Sequence, residues 1–255
     1  MAQQTKARIL IYSATRGYRH DSIPASIEAL KAKASVINVE YDATEDQSWF
    51  TDNHLKQYDA ILFLNNSGDV LDETGKAAFQ KYLNSGGNFI GIHCASACFY
   101  NESDDWFRKE IGALFDYHPD ICTAVYDVVG PSHPATSMLP ARWELYDEAY
   151  NFTSDPRKVG ATVILAADES TYLDPGERKF DHGSPHPIAW FQERGAGVAP
   201  GGIAGRSFYT GLGHCIETWQ DELFLAHVLA GIQWALQSGT TKAYNPNALV
   251  GNATV

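Results

Sequence analysis

Short apolar runs separated by stretches of helix length recur between residues 8 and 92, and that alternation leaves few folds open. Arg8–Ser13 (RILIYS), Asp59–Asn65 (DAILFLN) and Asn88–Ile92 (NFIGI) are continuous apolar runs of strand length, the pattern of strands buried on both faces of a parallel sheet. Val36–Tyr41 alternates like a further strand. Between them, Ser22 followed by Pro24 marks a helix start, with Ile23, Ile27 and Leu30 at near-helical spacing through Lys33. Asp69 and Asp72 stand where a second helix is capped; it runs to Leu83, and Ser85-Gly86-Gly87 stops it. Strands alternating with helices in this way predict βαβ units: a three-layer α/β domain with a mainly parallel sheet and helices on both faces.

The second half is less regular and richer in strand, which reads as a β-rich insertion. Cys122–Val129, Trp143–Tyr150 and Val159–Ala166 have strand character. Ile188–Gln192 and Arg206–Thr210 flank the Gly/Pro-rich stretch Gly195–Gly205 and are expected to form a hairpin. A last helix is expected from Thr218, paired with Asp221 as a cap, with Phe224, Val228, Gly231 and Trp234/Ala235 on its buried stripe and Gly239 at its end. One domain over residues 8–238 follows, with a short lead (1–7) and a loose tail (239–255).

Composition removes several function classes. The formal net charge is −12, unlike a binder of nucleic-acid phosphates, which needs a basic surface. Four cysteines in 255 residues are too few for a disulfide scaffold. No apolar run nears the ~20 residues of a membrane span, so the expectation is a cytoplasmic protein with no membrane or nucleic-acid partner, and homo-oligomerisation stays open. The chain carries no Walker loop and no GxGxxG, which speaks against nucleotide and nicotinamide cofactors.

In an open parallel sheet, ligands bind outside the carboxyl ends of the strands. The loops leaving those ends carry Arg16, Tyr18, Arg19 and His20; Asn65, Asn66, Ser67 and Gly68; His93, Cys94 and Ser96; and His214 with Glu217. His93 passes from an apolar strand into Cys94-Ala95-Ser96-Ala97, the small-residue setting of a sharp strand-to-helix elbow that lifts one side chain above the sheet. An imidazole there is suited to general acid–base work, electrostatic stabilisation or metal ligation. Cys94, one position on, points away from the apex. His214 and Glu217 sit three residues apart, so the carboxylate either orients the imidazole or joins it on a metal. No HExxH or CxxC spacing accompanies the nine histidines; a divalent metal, zinc, on His93, His214 and Glu217 stays open. Asp147 and Glu148 end a strand and place a carboxylate toward the cleft. His118, His133 and His186 each precede a proline and read as structural, as does His227 on the last helix.

Several stretches occur together in a fixed order: Gly17-Tyr18-Arg19-His20-Asp21-Ser22-Ile23, Gly86 to His93, Ser132 to Thr136, Tyr146 to Phe152, His186 to Trp190, and Arg206 to His214 with Glu217. In these the chain resembles the ThuA-like family of trehalose-utilisation proteins. The resemblance implies a class I glutamine amidotransferase-like (flavodoxin-like) fold with His93 where that superfamily has a nucleophilic cysteine, so glutamine hydrolysis is not expected. It further implies a carbohydrate substrate: a disaccharide, a glycoside or its 3-keto derivative, processed by hydrolysis, elimination or isomerisation. His20, His93, His214 and Glu217 are then the expected catalytic groups. Arg16, Tyr18, Asn65, Asn66, Ser67, Asp147, Glu148, Tyr150 and His186 are the expected sugar contacts. Two alternatives remain: a sugar-binding or scaffold module without catalysis, and a Cys94-dependent hydrolase or amidotransferase.

Overall fold

A computed structural model describes residues 6–252; the expected lead and the end of the expected tail lie partly outside them. Nine strands form one sheet: β1 (Ala7–Tyr12), β2 (Val39–Thr44), β3 (Ala60–Leu64), β4 (Asn88–Ile92), β5 (Cys122–Val128), β6 (Arg142–Asp147), β7 (Thr162–Ala167), β8 (His186–Gln192) and β9 (Ser207–Thr210). Their spatial order is β2-β1-β3-β4-β9-β8-β7-β5-β6. Pairings among β2, β1, β3, β4 and β9 are parallel. The rest are antiparallel. The β-rich second half therefore widens the same sheet, and β8 and β9 form the expected antiparallel pair.

Four longer helices cover the two faces, α1 (Ile23–Ala32), α2 (Glu73–Asn84), α3 (Asp105–Ile111) and α4 (Glu222–Leu236), with the single helical turn Asp52–Leu55 between β2 and β3. Period-two alternation in the strands divides the core between them. Ile9 and Ile11 of β1 join Leu30 of α1 and Phe224, Val228 and Ile232 of α4. Leu10 and Tyr12 face the other way, with Phe79 and Leu83 of α2 and Phe107 and Ile111 of α3. Asp72 caps α2 by accepting from Gly75 N at 2.8 Å. Gly86, at φ +97°, turns the chain out of that helix and brings Gly87 N onto Tyr82 O at 3.1 Å.

Boundaries shift where local chemistry competes. The last helix begins at Glu222, because Asp221 caps it through Phe224 N at 2.8 Å, and Glu217–Gln220 forms a separate 3-10 turn. The strand expected over Trp143–Tyr150 leaves the sheet after Asp147; Asn151–Phe152 pairs instead with Phe115–Tyr117. The stretch 243–252 has no helix or strand, yet it is fastened down. Buried Asp59 accepts from Ala243 N at 3.0 Å and Asn252 N at 3.1 Å, and also from Arg8 N at 2.9 Å.

Strand direction sets what meets where. β1, β3, β4 and β9 all end at one edge of the sheet. Four successive antiparallel steps from β9 return β6 to the same direction, so Glu148 and Tyr150 emerge beside His93.

Replacing Asp59 with alanine strips three backbone donors of their acceptor. The expected loss is about 3 kcal/mol, read in urea as a lower midpoint with little change in slope. An unchanged midpoint contradicts the role assigned to Asp59.

Candidate functional site

His93 leaves β4 at φ +53°, the left-handed region that non-glycine residues rarely enter. Its conformation matches the expected elbow and lifts the ring over the sheet edge. Two contacts fix the residue there: its carbonyl accepts from the Tyr209 hydroxyl at 2.8 Å, and its ring Nδ1 lies 2.7 Å from Gly211 O. A carbonyl only accepts, so Nδ1 carries the hydrogen and Nε2 presents a lone pair.

That lone pair faces a cluster. His20 Nε2 is 3.1 Å away, His214 Nδ1 3.3 Å and the Tyr150 hydroxyl 2.9 Å. Glu148 Oε2 stands 3.5 Å from His93 Nε2 and 3.0 Å from His214 Nδ1. One donor atom from each of His20, His93, Glu148 and His214 lies within 4.8 Å of the others. A tetrahedral ion bonded at about 2.0–2.1 Å keeps its donors about 3.3 Å apart, and four separations among these atoms, from 3.0 to 3.5 Å, fall near that spacing.

Electrostatics favour the same use. Burial, with His214 beside it, pushes His20 down to about 3. Burial and His20 hold His93 well below the ordinary imidazole value. Both rings are therefore neutral donors near pH 7. Burial also works to lower His214, but the Glu148 carboxylate, helped by Asp147, outweighs it and holds the ring above its ordinary value. Glu148 is buried, and its Oε2 accepts no hydrogen bond among the described residues.

Asp147 works one layer back. It accepts from Gly213 N at 3.1 Å, His214 N at 3.2 Å and Thr218 Oγ1 at 2.7 Å, which shapes the loop carrying His214. Gly213, at φ +124°, makes the turn possible.

His20, Glu148 and His214 line a cleft of about 360 Å³ walled by Tyr18, Phe115, His118, Ile121 and Tyr150, and His93 lies fully buried behind them. Exposed Tyr18 packs edge-on against His20, with ring centroids 4.8 Å apart. His118 Nε2 lies 3.3 Å from Glu148 Oε1. Its place before Pro119 pointed only to a structural role; the signal hidden in the sequence was the direction of β5, whose start lies at the ligand edge.

Other expected contacts sit elsewhere. Asn65 Nδ2 donates to Ser22 Oγ at 3.0 Å and Asn66 Nδ2 to Ala14 O at 3.1 Å. Ser67 Oγ donates to Tyr18 O at 2.7 Å. These three are buried and hold the loop that presents Tyr18 and His20. Arg16 is exposed and its backbone N donates to Ser67 O at 2.7 Å. Glu217 is exposed on its 3-10 turn, and the carboxylate facing His214 is Glu148. His186 reaches the site only through the Tyr150 carbonyl, 2.8 Å from its Nε2. Cys94 borders the cleft but is buried, and burial pushes its thiol up to about 12, so it offers no thiolate at neutral pH.

A mixed α/β sheet of flavodoxin-like type with a histidine cluster at one edge defines the class of protein. The chain belongs to the ThuA family, described as trehalose utilisation, whose model matches residues 8–235. A putative ThuA-like protein from Bacteroides uniformis ATCC 8492 shares the fold with a TM-score of 0.70 at 23% identity, over 96% of this chain and 97% of that one. A second, from Parabacteroides merdae ATCC 43184, gives 0.66 at 18% identity, over 91% and 90%. The cold-adapted beta-galactosidase from Rahnella sp. R3 gives 0.53 at 13% identity, covering 91% of this chain and 31% of that one. No curated protein matches the chain. Among the described residues, no helix is long and apolar enough to cross a membrane.

Brief iodoacetamide treatment of the folded protein is expected to label the partly exposed Cys122 and Cys215 ahead of buried Cys94 and Cys98. Peptide mass spectrometry showing Cys94 labelled first would restore a nucleophilic thiol.

Proposed function

We propose that this protein is an enzyme acting in the cytoplasm on a small carbohydrate, a disaccharide, glycoside or its 3-keto derivative, at a divalent-ion centre held by His20, His93, His214 and Glu148. The observation that carries the reading is the convergence of those four donors within 4.8 Å of one another, with His20, Glu148 and His214 lining an aromatic-walled cleft and His93 buried behind them. The carbohydrate class comes from the family's description as trehalose utilisation. Aromatic walls such as Tyr18 and Phe115, with polar atoms at the floor, suit a polyol that offers both apolar faces and hydroxyls.

The ion, zinc by its imidazole and carboxylate donors, would polarise a carbonyl or lower the pKa of a water. The chain's residues do the rest. His93 holds its lone pair toward the centre because Gly211 occupies its other nitrogen. The Tyr150 hydroxyl, 2.9 Å from His93 Nε2 and kept protonated by burial, is placed to hydrogen-bond a sugar hydroxyl. His118, the more accessible imidazole, stands 3.3 Å from Glu148 Oε1 and orients that carboxylate from the cleft side.

The decisive experiment assays metal content and turnover of 3-keto and unoxidised disaccharides together. His93→Asn keeps a residue that tolerates left-handed backbone. It is expected to lower ion occupancy at this centre and cut turnover by about 100-fold or more, while sugar affinity stays within about tenfold. Chelation should silence the parent, and zinc should restore it. A parent that binds sugar but turns over neither substrate fits a binding module and removes the enzymatic reading. Unchanged turnover in His93→Asn removes this centre from the mechanism.

A further inference from the structure

A second cluster of donors lies further along the same sheet edge. Glu169 follows β7 on a 3-10 turn, and His186 opens β8. Between them, residues 172–185 run without helix or strand, with His182 near the end. His182 and His186 are 2% and 4% exposed, and their ring centroids are 4.1 Å apart. Glu169 Oε1 lies 2.9 Å from His186 Nδ1 and 3.8 Å from His182 Nε2. One donor atom from each of the three falls within 4.8 Å of the others.

Two observations mark a cation site. His186 Nε2 faces the Tyr150 carbonyl at 2.8 Å, so Nε2 carries the hydrogen and Nδ1 of the neutral ring holds a lone pair. That lone pair points at a carboxylate oxygen, with the Tyr172 hydroxyl 3.2 Å away. A lone pair and a carboxylate oxygen at that separation repel unless positive charge lies between them. Separately, His182 is buried and neither ring nitrogen has a hydrogen-bond partner among the described residues, an unfavourable state for a polar ring.

We infer that Glu169, His182 and His186 bind a divalent cation of the zinc type, at a site separate from the His93 cleft. Two imidazoles and a carboxylate are a donor set that zinc takes, whereas magnesium and calcium prefer all-oxygen sites. Arg178 shares Glu169 Oε1 at 2.5 Å; a carboxylate has lone pairs for both, and the guanidinium then orients it from outside. The ion ties both ends of the 169–186 segment together. Through His186 it steadies the backbone of Tyr150, whose hydroxyl reaches His93.

Zinc titration of the metal-stripped full-length chain, by calorimetry with thermal unfolding alongside, tests this without any activity measurement. Zinc should bind the parent and still bind His93→Asn at this second site. Glu169→Gln and His182→Asn should each weaken that binding by about tenfold or more, and the zinc-induced rise in Tm should shrink with it. Glu169 is half exposed, so its variant decides the matter even if His182→Asn fails to fold. Zinc binding lost in His93→Asn but unchanged in Glu169→Gln overturns the site while leaving the cleft centre standing. A single zinc retained in His93→Asn and weakened in Glu169→Gln supports it and removes the metal from the cleft. Parent-like binding in both Glu169→Gln and His182→Asn also overturns it.

Discussion

One hydrogen bond organises the site: His93 Nδ1–H to the carbonyl of Gly211. It exists because β4 and β9 are parallel neighbours, with Ile92 opposite Thr210, so the residues just past each strand end side by side. The bond selects the ring's tautomer and points its lone pair away from the sheet. Left-handed backbone at His93 stores local strain of order 1–3 kcal/mol. The Tyr209 hydroxyl on its carbonyl and the packed strand beneath it hold it in place. Without that geometry, His20, His214 and Glu148 would surround no common point.

Several imidazoles in a buried space are tolerable because most stay neutral. Desolvation keeps His20 and His93 uncharged, and Glu148 concentrates negative charge next to His214. Asp147 gives its lone pairs to the backbone of the Gly213–His214 turn and leaves Glu148 to face the cluster. Two adjacent carboxylates thus take different tasks, because alternation at the strand end sends them to different sides.

The parallel half of the fold was legible in the sequence. Runs such as Ile9–Tyr12 and Phe89–Ile92 are apolar because both faces are covered, and the switch to helical spacing marked the crossovers at Ser22–Lys33 and Asp72–Leu83, while the short helix Asp52–Leu55 between β2 and β3 left no such mark. His20, His93 and His214 were recognisable for the same reason, since each follows a parallel strand. Glu148 and His118 were harder to place. Their positions depend on the count of antiparallel steps from β9 to β6, which local pattern does not encode. Glu217 was the near-sequence partner expected for His214, and a carboxylate distant in sequence faces it instead. Asn65, Asn66 and Ser67 follow a strand as ligand-contacting residues do, yet their side chains are taken up by the Ser22 hydroxyl and by the Ala14 and Tyr18 carbonyls. The tail past Ala243 lacks periodicity because it is held by its backbone on Asp59, an interaction with no side-chain signature of its own.

The central claim is that His93 is a neutral ring, protonated at Nδ1, that offers Nε2 to His20, His214 and Glu148. Nitrogen-15 NMR of labelled histidine in the metal-free protein measures this directly, by assigning the tautomer of His93 and following it from about pH 8 to about pH 5, across the ordinary imidazole range. The account predicts a protonated Nδ1 and an unprotonated Nε2 at every point, with His20 likewise neutral throughout. A His93 ring that is protonated at Nε2, or that gains a second proton near pH 6.5 like an ordinary histidine, would contradict it.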